Sequence, residues 1–186
     1  MSRQLAKHLI SVEEYERMGE VGILNPADRL ELLGGEIYEM SPIGSPHAAC
    51  VNYLSQFLVN FAAGKQIVST QNPVRLNDFS EPQPDISLLR WRDDFYRRAH
   101  PTPADVLLVI EVADSTVETD RSFKLPLYAK AGIAEVWIVN LPGERVEVYV
   151  GPEGGGYRLT RAHGRGETVQ SETVAGLSVG VSEVLG

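Results

Sequence analysis

Between Val106 and Val112 the chain is apolar at every position but one, Glu111. Such a run predicts a central strand covered on both faces, in which a lone carboxylate is costly unless something pairs with it. Other segments carry a helical period. Val51, Leu54, Leu58 and Phe61, with Ala48 and Phe57 nearby, share one face of a helix over 47–63 that Gly64 ends. Ser11-Val12-Glu13-Glu14 reads as a capping box opening a short helix to about Met18. Two strands, 29–33 and 36–40, flank Gly34-Gly35, a loop suited to the positive φ of a primed hairpin turn. Short strands are expected at 67–69, 73–76 and 85–89, the last entered through Pro84, where a missing donor does least harm.

Residues 120–131 read as helix and 136–140 as a second buried strand. The strand–helix–strand unit from 106 to 140 is long enough for a parallel crossover, which is nearly always right-handed. It sets Glu111 near the carboxyl end of a parallel strand, where open α/β sheets build their sites. Beyond it, 144–150, 157–161 and 177–181 predict a small antiparallel appendage, with Gly154-Gly155-Gly156 as a turn.

Composition adds limits to this picture. The 186 residues suit one domain with a sizeable core, read as a core over about 10–150 and a β appendage over about 144–186. The single Cys50 excludes a disulfide framework and a cysteine-rich zinc site, and fits a reducing compartment. The first eight residues lack the apolar stretch of a signal peptide, and no window approaches the roughly 18 apolar residues of a membrane span. A cytoplasmic protein without a membrane partner is the expectation. A net charge of −8 argues against coating nucleic acid through a broad basic face, but not against an acidic metal site that acts on it. Basic residues cluster once: over 90–98, Arg90, Arg92, Arg97 and Arg98 interleave with Trp91, Phe95 and Tyr96. That mixture suits phosphate contact and base stacking, and equally a solvated amphipathic loop.

Asp85 and Glu111 are two acids at or near strands otherwise built for burial, and a shared cation would offset the cost of both. Asp120, Lys124 and Tyr128, at i, i+4 and i+8, lie on one helix face that can aim the lysine above Glu111. Pro126 is tolerated only in a first turn, so the helix proper is expected to begin near Leu125 with Lys124 at its lip.

Several motifs in order resemble the Uma2 family. They are Pro84-Asp85, Glu111-Val112-Ala113, Asp120 with Lys124, and Tyr128-Ala129 through Glu135-Val136-Trp137-Ile138-Val139. Glu31-Leu32-Leu33 with Gly35-Glu36, Met40-Ser41-Pro42 and His47 resemble its amino-terminal signature. The likeness runs from about residue 10 to 150. It implies an endonuclease of the PD-(D/E)XK superfamily with a restriction-endonuclease-like α/β/α core, a mixed central sheet and extra antiparallel strands. It further implies DNA as substrate and Mg²⁺ as cofactor, with Mn²⁺ as a substitute. Asp85, Glu111 and the Val112 carbonyl would be metal ligands, with Lys124 at the attacking water. The superfamily pattern asks for lysine at 113; this chain has Ala113, a departure Uma2 proteins share, and Lys124 is the expected replacement. Glu31 is a candidate third acid and His47 a candidate ligand of metal or phosphate. A homodimer is the prior for such nucleases, because a C₂ pair is the commonest soluble assembly.

Each residue also has a plainer reading. Asp85 can cap a turn, Glu111 pair with an arginine, and Lys124 form a surface pair with Asp120. Glu31 can be a solvent-facing hairpin residue and His47 a local hydrogen-bonding one. At the level of function, the rival is a nuclease fold that no longer cuts and serves as a binding or assembly module. Hydrolysis of a small phosphoester is a weaker rival, since the chain lacks a glycine-rich phosphate loop.

Overall fold

The computed structural model describes residues 6–25 and 27–186; five of the amino-terminal residues read above for a leader lie outside the described residues. Its first helix, α1 (Val12–Glu20), opens with the capping box as expected: Glu14 N–H donates to Ser11 Oγ and Ser11 N–H to Glu14 Oε2. Strands β1 (Leu30–Leu33) and β2 (Glu36–Glu39) form an antiparallel hairpin through Gly34 and Gly35, both at positive φ. A Cβ at position 35 would stand 2.6 Å from Leu9 Cβ, so glycine is required there for space as well. Helix α2 (Ser45–Ala62) starts with Pro46 in its first turn and ends in a left-handed Ala63 just before Gly64. Its buried stripe, Cys50, Val51, Leu54, Leu58 and Ala62, lies against the central sheet.

That sheet has six strands in the order β3 (Gln66–Thr70), β4 (Ile86–Arg90), β5 (Val106–Ala113), β6 (Glu135–Asn140), β7 (Arg145–Glu153) and β8 (Gly156–Gly164). The β5–β6 pair is parallel and every other neighbouring pair antiparallel, so the sheet is mixed. Between β5 and β6 the chain makes a short helix α3 (Val117–Thr119), a π-helical turn Asp120–Lys124 and helix α4 (Leu125–Ala131). A separate pair, β9 (Thr168–Gln170) with β10 (Ser178–Gly180), precedes the final helix α5 (Val181–Leu185).

Alternation along β5 divides the core in two. Leu108, Ile110 and Val112 pack with α2, α5 and the β9–β10 pair, whereas Val109 and Ala113 join Tyr128, Ile133 and Val136 on the α4 side. Helices therefore cover both faces, giving the α/β/α core. Each fully buried Leu or Ile contributes about 2 kcal/mol to holding these layers together. Among the described residues no helix is long and apolar enough to cross a membrane.

Two expectations need correction. Residues 73–76 form no strand; Val74 and Leu76 donate instead to the carbonyls of Pro82 and Ser80 in an irregular loop. The prolines at 73, 82 and 84 withhold the donors a ladder would need. The strands after 144 are also only in part a separate appendage: β9 and β10 form their own antiparallel pair. β7 and β8 extend the main sheet, because β6 is buried along its whole length and its outer edge must be paired.

Candidate active site

The candidate residues meet at one end of the sheet. Pairing of β4 with β5 runs to Ile86 opposite Ile110, so the next residues, Asp85 and Glu111, lie side by side at the sheet's end. The Asp85 N–H points at Glu111 Oε2, 3.4 Å away, and the Val112 N–H donates to Asp85 Oδ2 at 2.9 Å. Gln71 Nε2 donates to Asp85 Oδ1 at 3.2 Å, from a non-glycine residue held at φ 52°. His47, in the first turn of α2, places Nε2 3.0 Å from Asp85 Oδ2. An ionised carboxylate has no proton to give, so Nε2 carries the hydrogen, leaving His47 Nδ1 buried without a partner.

The helical side supplies Lys124. Its Nζ sits 3.1 Å from Glu31 Oε2 and 3.4 Å from Glu111 Oε1. Tyr128 OH donates to the same Glu111 oxygen at 2.6 Å. Thr116 Oγ1 donates to Asp120 Oδ2 at 2.8 Å. The helix proper starts at Leu125, with Lys124 at its lip. Pro126 has no N–H to continue the preceding ladder, and the chain meets this with the wider π turn that carries both Asp120 and Lys124 inward.

Charge is out of balance at this site. Glu31, Asp85, Glu111 and Asp120 are all buried, and Lys124 is the one buried Lys or Arg among the described residues. Burial pushes the Glu111 carboxyl up to about 8, against the pull of Lys124 and with Asp120 and Asp85 adding to the rise. Burial also acts on Asp85, but the hydrogen bonds from His47, Val112 and Gln71 outweigh it and hold that carboxyl below its usual value. Burial disfavours the Lys124 ammonium, yet Glu111, Glu31 and Asp120 raise its pKa above the ordinary lysine value.

Among the described residues no three His, Cys, Asp or Glu side chains form a ready-made metal cage. The donor set still fits a hard divalent cation. Two adjacent carboxylates and a main-chain carbonyl are the protein share Mg²⁺ takes when water and substrate phosphate complete its octahedron. The buried excess of carboxylate is what such an ion would neutralise.

A cleft of about 370 Å³ opens over this floor. Its walls come from the β1–β2 hairpin, residues 40–44, 114–116 and Thr119, and Phe123. The arginines at 90–98 are not brought to it. β4 leads from Asp85 to Arg90 at the opposite end of the sheet, about 16 Å away at strand rise. There Arg90 donates to the Ala104 carbonyl, while Arg92 forks onto Asp94 and lies 4.2 Å from the Tyr96 ring centroid.

Some neighbours had no sequence signal as site residues. Gln71 comes from an irregular loop with no motif. Tyr128 stood out only by its place on the lysine's helix face and in a motif shared with the family, neither of which assigned it to Glu111. Glu147, on β7, accepts from Arg121, Arg145, Asn140 and Tyr149, and so tethers the π turn.

A family model for Uma2, described as "Putative restriction endonuclease", matches residues 12–182. Among solved structures, one described as a "putative nuclease belonging to DUF820" from Anabaena variabilis ATCC 29413 superposes with a TM-score of 0.74. It covers 95% of this chain and 97% of its own, at 15% identity, a likeness of fold. No curated protein matches the chain.

Proposed function

This chain belongs to the Uma2 family, and on that premise we propose that its acidic cleft hydrolyses phosphodiester bonds of DNA with the help of a divalent cation, Mg²⁺ or in its place Mn²⁺. The observation that carries the reading is the convergence of Asp85, Glu111 and Lys124, from a strand entrance, a strand end and a π turn, on one cleft floor.

Asp85, Glu111 and the Val112 carbonyl would hold the ion. When bound, it supplies charge neutralisation at the scissile phosphate and a water of lowered pKa. The chain's own residues do the rest. Val112 N–H and His47 fix the Asp85 carboxylate, and Tyr128 fixes Glu111 through Oε1. This makes His47 an orienting residue rather than a ligand, since its Nε2 is already engaged. Lys124 keeps its proton at neutral pH because carboxylates surround it, so it acts as a cation and hydrogen-bond donor, not as a base. From there it holds the attacking water in line and stabilises charge developing on the phosphate. Glu31 and Asp120 keep the ammonium in place.

The test is incubation of purified protein with plasmid and linear DNA in Mg²⁺ or Mn²⁺. Wild type should cut and Asp85→Ala should not; equal cleavage by the two refutes the assignment. One observation favours a second reading, a scaffold that binds without cutting: the Lys124 ammonium is already paired with both Glu31 and Glu111. Metal binding without turnover on any DNA or RNA would support that alternative.

A further inference from the structure

The cleft mouth carries features that phosphodiester hydrolysis alone does not require. Phe123, in the same π turn as Asp120 and Lys124, lines the cleft with them but is 50% exposed. Tyr38, from β2, faces it with ring centroids 6.0 Å apart and planes inclined by 56°. Ile43, 42% exposed, and Met40 and Pro42 line the same wall. Exposed aromatic and aliphatic groups are thus gathered directly above a floor of buried acids.

Size and charge constrain what can enter. A volume near 370 Å³ is that of a small-ligand pocket, enough for about one nucleotide. Asp85, Glu111 and Lys124 are 8%, 3% and 7% exposed, so the reactive groups sit below the surface. A base that stacks at the mouth while its phosphate reaches those groups has left its own base stack, which an unpaired strand permits at little cost and a duplex does not. Duplex affinity also comes mainly from neutralising phosphates with Lys and Arg. Among the described residues the cleft is lined by only Arg29 and Lys124 as such cations; Arg29 donates to the Ser41 carbonyl, and Lys124 is bound to acids. The arginine-rich loop lies at the far end of the sheet. What the mouth offers instead is stacking, which is tolerant of sequence and suits unpaired bases.

We propose that the substrate is single-stranded or locally unpaired nucleic acid, with one base stacked on Phe123 beside Tyr38 while its phosphate reaches the floor. The proposal rests on the nuclease reading of that floor. Phe123 is a binding residue in it. Tyr38 is fixed by donating its hydroxyl to Glu36 Oε2 at 3.0 Å, which gives the platform a rigid second side.

The experiment compares one dye-labelled oligonucleotide single-stranded, as a blunt duplex, and as an unpaired flap on a duplex. Cleavage is followed in Mg²⁺ and binding by fluorescence anisotropy, for wild type, Phe123→Ala and Phe123→Trp. The single strand and the flap should be cut at least tenfold faster than the duplex. Phe123→Ala should raise KM for the single strand about tenfold, the ratio expected for one lost base stack, with kcat little changed. Phe123→Trp should restore it. Duplex cleaved as well as single strand, or an alanine variant indistinguishable from wild type, overturns the proposal while leaving the nuclease reading intact. If no form is cut, the nuclease reading fails, and the anisotropy data still decide: Phe123-dependent preference for the single strand supports this site, and its absence removes it.

Discussion

Replacing Glu147 with glutamine probes the tether that carries Lys124 to the cleft. Glu147 is buried on β7 and accepts from Arg121 through two guanidinium nitrogens, one of them at 2.9 Å. It also accepts from Arg145 at 2.8 Å, Tyr149 at 2.8 Å and Asn140 at 3.1 Å. Arg121 belongs to the same π turn as Lys124. Burial alone would raise the Glu147 carboxyl, but the donors from Arg121, Arg145, Asn140 and Tyr149 hold it at about 2 instead of 4.5. At 1.36 kcal/mol per unit that shift corresponds to about 3 kcal/mol, and to ~2 kcal/mol once water reaching the arginines is allowed for.

A glutamine of the same shape keeps the packing and loses the charge, so the variant should be less stable by ~2 kcal/mol at pH 7. For a chain of this size that lowers the Tm by about 4–8 °C. The pH dependence has a definite sign. A carboxylate with a depressed folded-state pKa contributes stability above its unfolded value of 4.5, and that contribution fades as pH falls towards about 2. Urea melts of wild type and variant, followed by tryptophan fluorescence, should therefore draw together as pH falls from about 5 to about 2. A variant as stable as wild type at pH 7, or a deficit constant across that window, refutes the reasoning.

Asp85→Asn and Lys124→Gln should each reduce metal-dependent cleavage by about a hundredfold or more in a gel assay, the scale of removing one preorganised charge from a reaction centre; activity within threefold of wild type would sink both assignments. Glu135 is fully buried and accepts from Trp137 Nε1, Ser171 Oγ, Thr173 Oγ1 and the N–H groups of Glu172 and Thr173. Glu135→Gln should cost ~2–3 kcal/mol in chemical denaturation and speed proteolysis after residue 165, while cleavage activity persists. Burial, with Asp85 adding to it, pushes the Cys50 thiol up to about 12, so iodoacetamide should label it only in denaturant; labelling of the native protein at pH 8 would contradict its burial.

What could be read along the chain was whatever depends on neighbours in sequence. The capping box at Ser11, the glycine hairpin at 34–35, the helical stripe of α2 and the apolar run of β5 each express a local period or a backbone requirement. The same logic singled out Glu111, because one acid in a doubly covered strand demands a partner, and put the start of the last crossover helix at the residue after Lys124, because Pro126 permits nothing else. Which groups became partners was decided only by strand register and layer packing. Those bring Glu31 within an ion pair of Lys124 and Gln71 onto Asp85, residues that share no period with their partners. They also carry the arginines at 90–98 to the far end of β4, since a strand delivers its two ends to opposite edges of the sheet whatever its composition. The order of strands went the same way: a run such as β7 pairs wherever a buried edge lies open, and only the folded sheet shows that the edge belongs to β6.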